Sequence, residues 1–116
     1  AGFATDACEE FGAPERLLRV ISYNILAPCL ASERMFPYAP PWSLDWAYRR
    51  GVLHAELALL AEGADVLCLQ EVQPHVFEEL CGVLADFDGA LDLKRCAGSP
   101  TRAEGSATFW RRRRFR

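Results

Sequence analysis

The 116-residue sequence contains no two cysteines separated by two residues, which removes zinc ribbons and thioredoxin-type redox sites from consideration. Its five cysteines, Cys8, Cys29, Cys68, Cys81 and Cys96, are odd in number and widely spaced, and a reduced intracellular setting is the simplest reading. No apolar stretch approaches the roughly 20 residues that cross a bilayer, and no signal-peptide pattern precedes the first apolar segment, so no membrane partner is expected. Repeats and low-complexity tracts are missing too, apart from an arginine run at the end. Basic charge is scarce over most of the chain. All 16 acids precede Arg111, whereas five of the 13 basic residues fall between Arg111 and Arg116. An acidic body with a basic tail does not hold nucleic acid over its whole surface. It suits a protein that gathers divalent cations at a carboxylate site.

What the sequence does have is apolar content: 51% of residues are hydrophobic, enough to bury a core. Residues 1–16 mix Gly, Pro and acids without a period and are expected to be an irregular lead-in to a domain over 17–116. Leu17 to Leu26 is rich in β-branched and apolar residues and predicts a buried strand. Pro28, Pro37, Pro40 and Pro41 then exclude helix and central strand, leaving a long loop of the kind that is more often functional than idle. A helix should follow, capped by Ser43 or Asp45, with Trp46, Leu53, Leu57 and Leu60 on one stripe and Gly63 ending it in the left-handed conformation. Asp65 to Gln70 is a short continuous apolar run, the pattern of a strand covered on both faces. Pro74 suits the first turn of a second helix whose apolar face is Val76, Phe77, Leu80, Val83 and Leu84. Asp88-Gly89 reads as a turn, Ala90 to Arg95 as a weak strand, Ala97 to Gly105 as a loop, and Ala107 to Trp110 as a last strand.

This order of elements implies an α/β fold. A strand–helix–strand unit makes a right-handed crossover between parallel strands, which places both carboxyl ends on one sheet edge. Asn24 ends the first strand and Glu71 follows the second, so the topology brings both to the rim where open α/β sheets bind ligands. A carboxylate and a carboxamide side by side offer hard oxygen donors suited to magnesium or manganese. The spacing alone does not decide this, because an Asn at a strand end is commonly a turn residue and a Glu just past a strand is commonly solvated.

The wording around the two residues points further. Val20-Ile21-Ser22-Tyr23-Asn24-Ile25-Leu26 resembles the first motif of the endonuclease/exonuclease/phosphatase superfamily, and Leu67-Cys68-Leu69-Gln70-Glu71-Val72 resembles the second. Tyr38 to Arg50 (YAPPWSLDWAYRR) is similar to a segment typical of the carbon-catabolite-repression deadenylases, with looser versions in nocturnin and the Angel proteins. Glu104-Gly105-Ser106-Ala107-Thr108-Phe109-Trp110 resembles the family's next core strand. The resemblance implies the first third of a four-layer α/β sandwich, two packed mixed sheets flanked by helices. It implies that Glu71 coordinates a catalytic Mg2+ (or Mn2+) and that Asn24 helps hold the metal or the scissile phosphate. The implied activity is 3′→5′ removal of adenylates from poly(A) RNA in messenger-RNA decay, in the cytoplasm and secondarily the nucleus. The family's later Asp-x-Asn and Ser-Asp-His motifs do not occur in this sequence. With an opening Ala instead of Met, this leads to the expectation of an N-terminal fragment that is inactive alone and exposes apolar surface. The alternatives are another phosphodiesterase or phosphatase of the superfamily, Angel-like or nocturnin-like, and a truncated non-catalytic interaction fragment. A deadenylase scaffold complex is a further implied partner, although no leucine-rich docking segment is visible.

Other residues have ordinary readings. Trp42, Trp46 and Tyr48 could stack on bases, but packing of loop and helix onto the core is the better expectation. His54 reads as a surface or satisfied histidine, and His75 lies nearer the rim without an assigned part. Arg49 and Arg50 could meet phosphate, but facing solvent from the helix is the better expectation. The Arg111 to Arg116 run is expected to be an exposed loop, with non-specific RNA binding as the other reading.

Overall fold

The computed structural model describes residues 17–94 and 103–115. The lead-in expected over 1–16, and residues 97–102 of the expected loop, lie outside these residues. Four strands form one mixed sheet: β1 (Val20–Asn24), β2 (Val66–Val72), β3 (Phe87–Leu93) and β4 (Gly105–Arg111), in the spatial order β1-β2-β4-β3. β1 and β2 are parallel, joined by a crossover that holds a one-turn helix α1 (Pro41–Leu44) and a long helix α2 (Trp46–Ala61). Helix α3 (Pro74–Val83) leads from β2 to β3, and β4 inserts antiparallel between β2 and β3. The architecture is the α/β layering that the element order implies, with one sheet and its helices present among the described residues.

Strand alternation decides which face the helices cover. Leu67, Leu69, Ala107 and Phe109 are all buried, and they form a core with Leu53, Leu57 and Ala61 of α2 and Val76 and Leu80 of α3. Burying each large apolar side chain contributes about 1.5–3 kcal/mol, so this face fixes the docking of both helices. The other sheet face differs. Ser22, Thr108 and Ser106 are exposed there, and Cys68 and Gln70 are only partly covered. β2, read as covered on both faces, is therefore fully buried on one. β1 is an edge strand, not a buried one, and Val20 is 57% exposed.

Local chemistry accounts for most element ends. Asp45 caps α2, its Oδ2 accepting the Tyr48 N–H at 3.4 Å. Gly63 does not take the left-handed turn expected of it. Instead Arg111, from β4, donates to the carbonyls of Ala61 and Ala64 and closes the helix from outside. The proline-rich stretch is a loop with two short helical pieces, a 3-10 turn at Pro28–Leu30 and α1, where Pro41 sits at a first-turn position that needs no N–H. Asp88 and Gly89 lie inside β3 and not in a turn. A side chain at Gly89 would stand 2.6 Å from the Phe109 ring, so glycine here marks close packing.

Trp46 packs against the core as expected, whereas Trp42 and Tyr48 stay exposed and meet each other edge to face at 5.2 Å. The arginine run is no open loop. Arg111 ends β4, and Arg112–Arg114 form a 3-10 turn. Within it Arg112 pairs with Asp88 at 3.0 Å and Arg114 donates to the Leu17 carbonyl at 2.7 Å.

Candidate active site at the sheet rim

Parallel pairing sets Asn24 opposite Gln70, one residue before Glu71. The backbone N–H of Leu26 donates to Asn24 Oδ1 at 2.9 Å, which fixes the amide's orientation and leaves Nδ2 to donate to Glu71 Oε2. The two residues singled out in the sequence thus meet in a direct hydrogen bond. In this arrangement Asn24 holds the carboxylate through its nitrogen, while its oxygen secures the turn that leaves the sheet.

Glu71 arrives there through a β-bulge. Leu69 pairs with Ala107 and Val72 with Gly105, so Gln70 and Glu71 together stand opposite Ser106. The extra residue restores Val72 to the buried face and leaves Glu71 at the rim. Glu71 has φ 60° and Leu26 φ 57°, and these are the positive-φ non-glycine residues among the described ones. Each left-handed residue costs on the order of 1–3 kcal/mol, which the surroundings must hold in place. Both flank the Asn24–Glu71 contact.

Arg49 of α2 supplies part of that hold. Its Nη2 donates to the carbonyls of Ile25 and Leu26, each at 2.7 Å, and its guanidinium lies 5.6 Å from the Trp46 ring centre. Burial lowers its pKa from the usual arginine value, opposed by Tyr23, in its ionised form, and by the Glu71 carboxylate. It does not face solvent as its sequence position suggested. Gln73, 4% exposed, accepts the Cys29 N–H at 3.1 Å and ties the outgoing loop to the end of β2.

A cleft of about 520 Å³ opens at this rim, lined by Asn24, Gln70 and Glu71 with Met35, Phe36, Lys94 and Glu104. Glu104, 8% exposed, pairs one oxygen with Lys94 at 3.2 Å. Its other oxygen is buried without a hydrogen-bond partner. Among the described residues no three His, Cys, Asp or Glu side chains converge as a metal cluster. The donors present fit a hard cation that keeps several waters and takes one carboxylate, as magnesium commonly does, and do not fit a closed zinc site.

Other sequence candidates lie elsewhere. His75 is exposed in the first turn of α3, with its ring 6.4 Å from that of Trp46, and it does not line the cleft. His54 sits 3.5 Å from Glu79, which also pairs with Arg50 at 3.0 Å, so both residues link the helices. Sequence reasoning gave Lys94, Glu104 and Gln73 no role, and considered Arg49 only as a contact for phosphate. For Arg49 a signal existed: carbonyls in a turn leaving a sheet need donors, and an arginine early in the following helix is a natural source.

No family model matches the chain. It is 42% identical over 102 residues to carbon catabolite repressor protein 4 homolog 2 of Arabidopsis thaliana, covering 83% of this chain and 17% of that protein. It is 34% identical over 110 residues to the CCR4-Not complex 3′-5′-exoribonuclease subunit Ccr4 of Saccharomyces cerevisiae, covering 88% and 13%. It is 36% identical over 109 residues to 2′,5′-phosphodiesterase 12 of Homo sapiens, covering 87% and 16%. The crystal structure of ANGEL2, a 2′,3′-cyclic phosphatase, superposes with a TM-score of 0.63 at 29% identity, over 81% of this chain and 27% of that one. The fold and the relatives place the chain in the endonuclease/exonuclease/phosphatase superfamily. Within it the chain belongs to the CCR4-type family of 3′-5′ exonucleases and phosphodiesterases. It spans between 13% and 17% of the length of these curated relatives.

Proposed function

We propose that this chain carries the metal-binding rim of a magnesium-dependent 3′→5′ exoribonuclease acting on poly(A). The observation that carries the reading is the Asn24–Glu71 contact at the carboxyl ends of two parallel strands, with Glu71 held left-handed in a bulge. Glu71 would hold the cation, and Asn24 would keep the carboxylate aimed at it. A bound divalent ion supplies Lewis-acid polarisation of the phosphate and lowers the pKa of a bound water. Lys94, at the same cleft, offers positive charge for a phosphate, and Phe36 an apolar wall for a base. Among the described residues no histidine lines the cleft, and this reading assigns the proton acceptor to further chain. The 116-residue chain by itself is accordingly expected to be inactive.

The test uses the complete protein with poly(A), poly(U), 2′,5′-linked oligoadenylate and RNA ending in a 2′,3′-cyclic phosphate, each with Mg2+ and with EDTA. Mg2+-dependent shortening of poly(A) from the 3′ end, lost in Glu71→Gln, is the expected result. Preference for the 2′,5′ linkage or the cyclic phosphate would move the assignment to another branch of the family. EDTA-insensitive cleavage would overturn the metal reading, and poly(A) shortening by the 116-residue chain alone would overturn the expected inactivity.

A further inference from the structure

The strain at the rim needs a restraint, and one side chain outside the strands reaches it. Leu26 is left-handed, its N–H is committed to Asn24 Oδ1, and its carbonyl and that of Ile25 both accept from Arg49 Nη2. We infer that Arg49 is a positioning residue for Asn24, and through Asn24 for the Glu71 carboxylate. A guanidinium that holds two successive carbonyls permits one arrangement of the turn, and that turn presents the N–H on which the Asn24 amide is oriented. Without it, the left-handed Leu26 relaxes to an ordinary conformation, Asn24 Oδ1 loses its donor, and the amide is free to rotate away from Glu71. Helix α2 thereby transmits its place on the core directly to the rim, since Leu53 and Leu57, one and two turns beyond Arg49, are buried beneath the sheet.

The molecule contains its own control. Arg111 holds two carbonyls in the same manner, those of Ala61 and Ala64, at the opposite end of α2. Loss of either arginine should lower stability, but only Arg49 should matter at the rim.

The experiment follows the Asn24 side-chain NH2 signals by 15N–1H NMR in the 116-residue chain, assigned by their loss in Asn24→Ala. Arg49→Ala is expected to displace those signals and Arg111→Ala to leave them in place. The second readout is Mn2+ affinity, measured by paramagnetic broadening and calorimetry. Arg49→Ala should weaken it by about 10- to 100-fold, as removal of a group orienting a metal ligand does. Arg49→Lys, whose ammonium keeps donors for these carbonyls without the planar fork, should recover part of both. Unshifted Asn24 signals in a folded Arg49→Ala variant would overturn the inference. Should that variant not fold, Arg49→Met, which keeps the apolar stem and removes every donor, decides: a displaced signal supports positioning and an unshifted one refutes it. The Mn2+ readout rests on the metal reading given above, whereas the amide readout does not. A wild type that binds no Mn2+ would count against the metal, and the role of Arg49 would then be decided by the amide signals.

Discussion

The two ends of the sheet solve the same problem with the same residue type and reach opposite results. At the far end Arg111 fills the carbonyls at the end of α2, lies over the Phe87 ring at 4.6 Å, and removes the need for a left-handed glycine. At the rim Arg49 fills the carbonyls of a turn that is itself left-handed, opposite a glutamate that is also left-handed. One end is relaxed and its polar groups are matched. The other stores backbone strain, converges two polar side chains, and leaves a buried Glu104 oxygen unpaired. Departure from local rules concentrates where chemistry is expected, while the same device used elsewhere serves stability alone.

The sharpest way to break this contrast is Glu71→Gly. Glycine tolerates φ 60°, so stability should hold or rise by up to about 1 kcal/mol in urea titration, while Mn2+ affinity falls by at least about 100-fold. A parallel loss of stability and affinity would show that the rim is not strained. Arg111→Ala should do the reverse, lowering unfolding free energy by about 1.5–3 kcal/mol with Mn2+ affinity unchanged. Gly105→Ala addresses the seam between β3 and β4 below the cleft, where a new methyl would overlap the Asp92 carbonyl oxygen. It is expected to cost about 1–3 kcal/mol and to disturb Glu104 beside it, which thermal melting and the Lys94–Glu104 pairing by NMR would register.

The smallest effect concerns pH. Tyr23 donates to Glu56 at 2.7 Å, and this hydrogen bond, with burial and the Glu56 charge, raises its pKa above 10.0. A pKa raised in the folded state means a contribution fully present below the unfolded value and lost as pH rises through the folded one. Wild-type stability should therefore decline more steeply than that of Tyr23→Phe as pH rises above about 10, read from urea midpoints. Equal slopes would show that the Tyr23–Glu56 bond contributes nothing.

Much of this was legible in advance. The apolar stripes at Leu53 and Leu57, and at Val76 and Leu80, announce their helices because a 3.6-residue period has no other explanation. Gly63 and Asp88-Gly89 misled for one reason. Glycine has several uses, and neither the arginine that closes α2 nor the Phe109 ring against Gly89 is near in sequence. Arg49 was hidden likewise: its partners are defined by a turn formed a whole loop earlier.

By itself the sequence determined the α/β order, the parallel crossover and the arrival of Asn24 and Glu71 at one edge, because short-range period and chain connectivity suffice for those. Tertiary structure alone decided that the two residues touch, that Glu71 stands in a left-handed bulge, and that Arg49 steadies the turn beside them. Those outcomes depend on register and on carbonyls brought together across long separations, which no local pattern encodes.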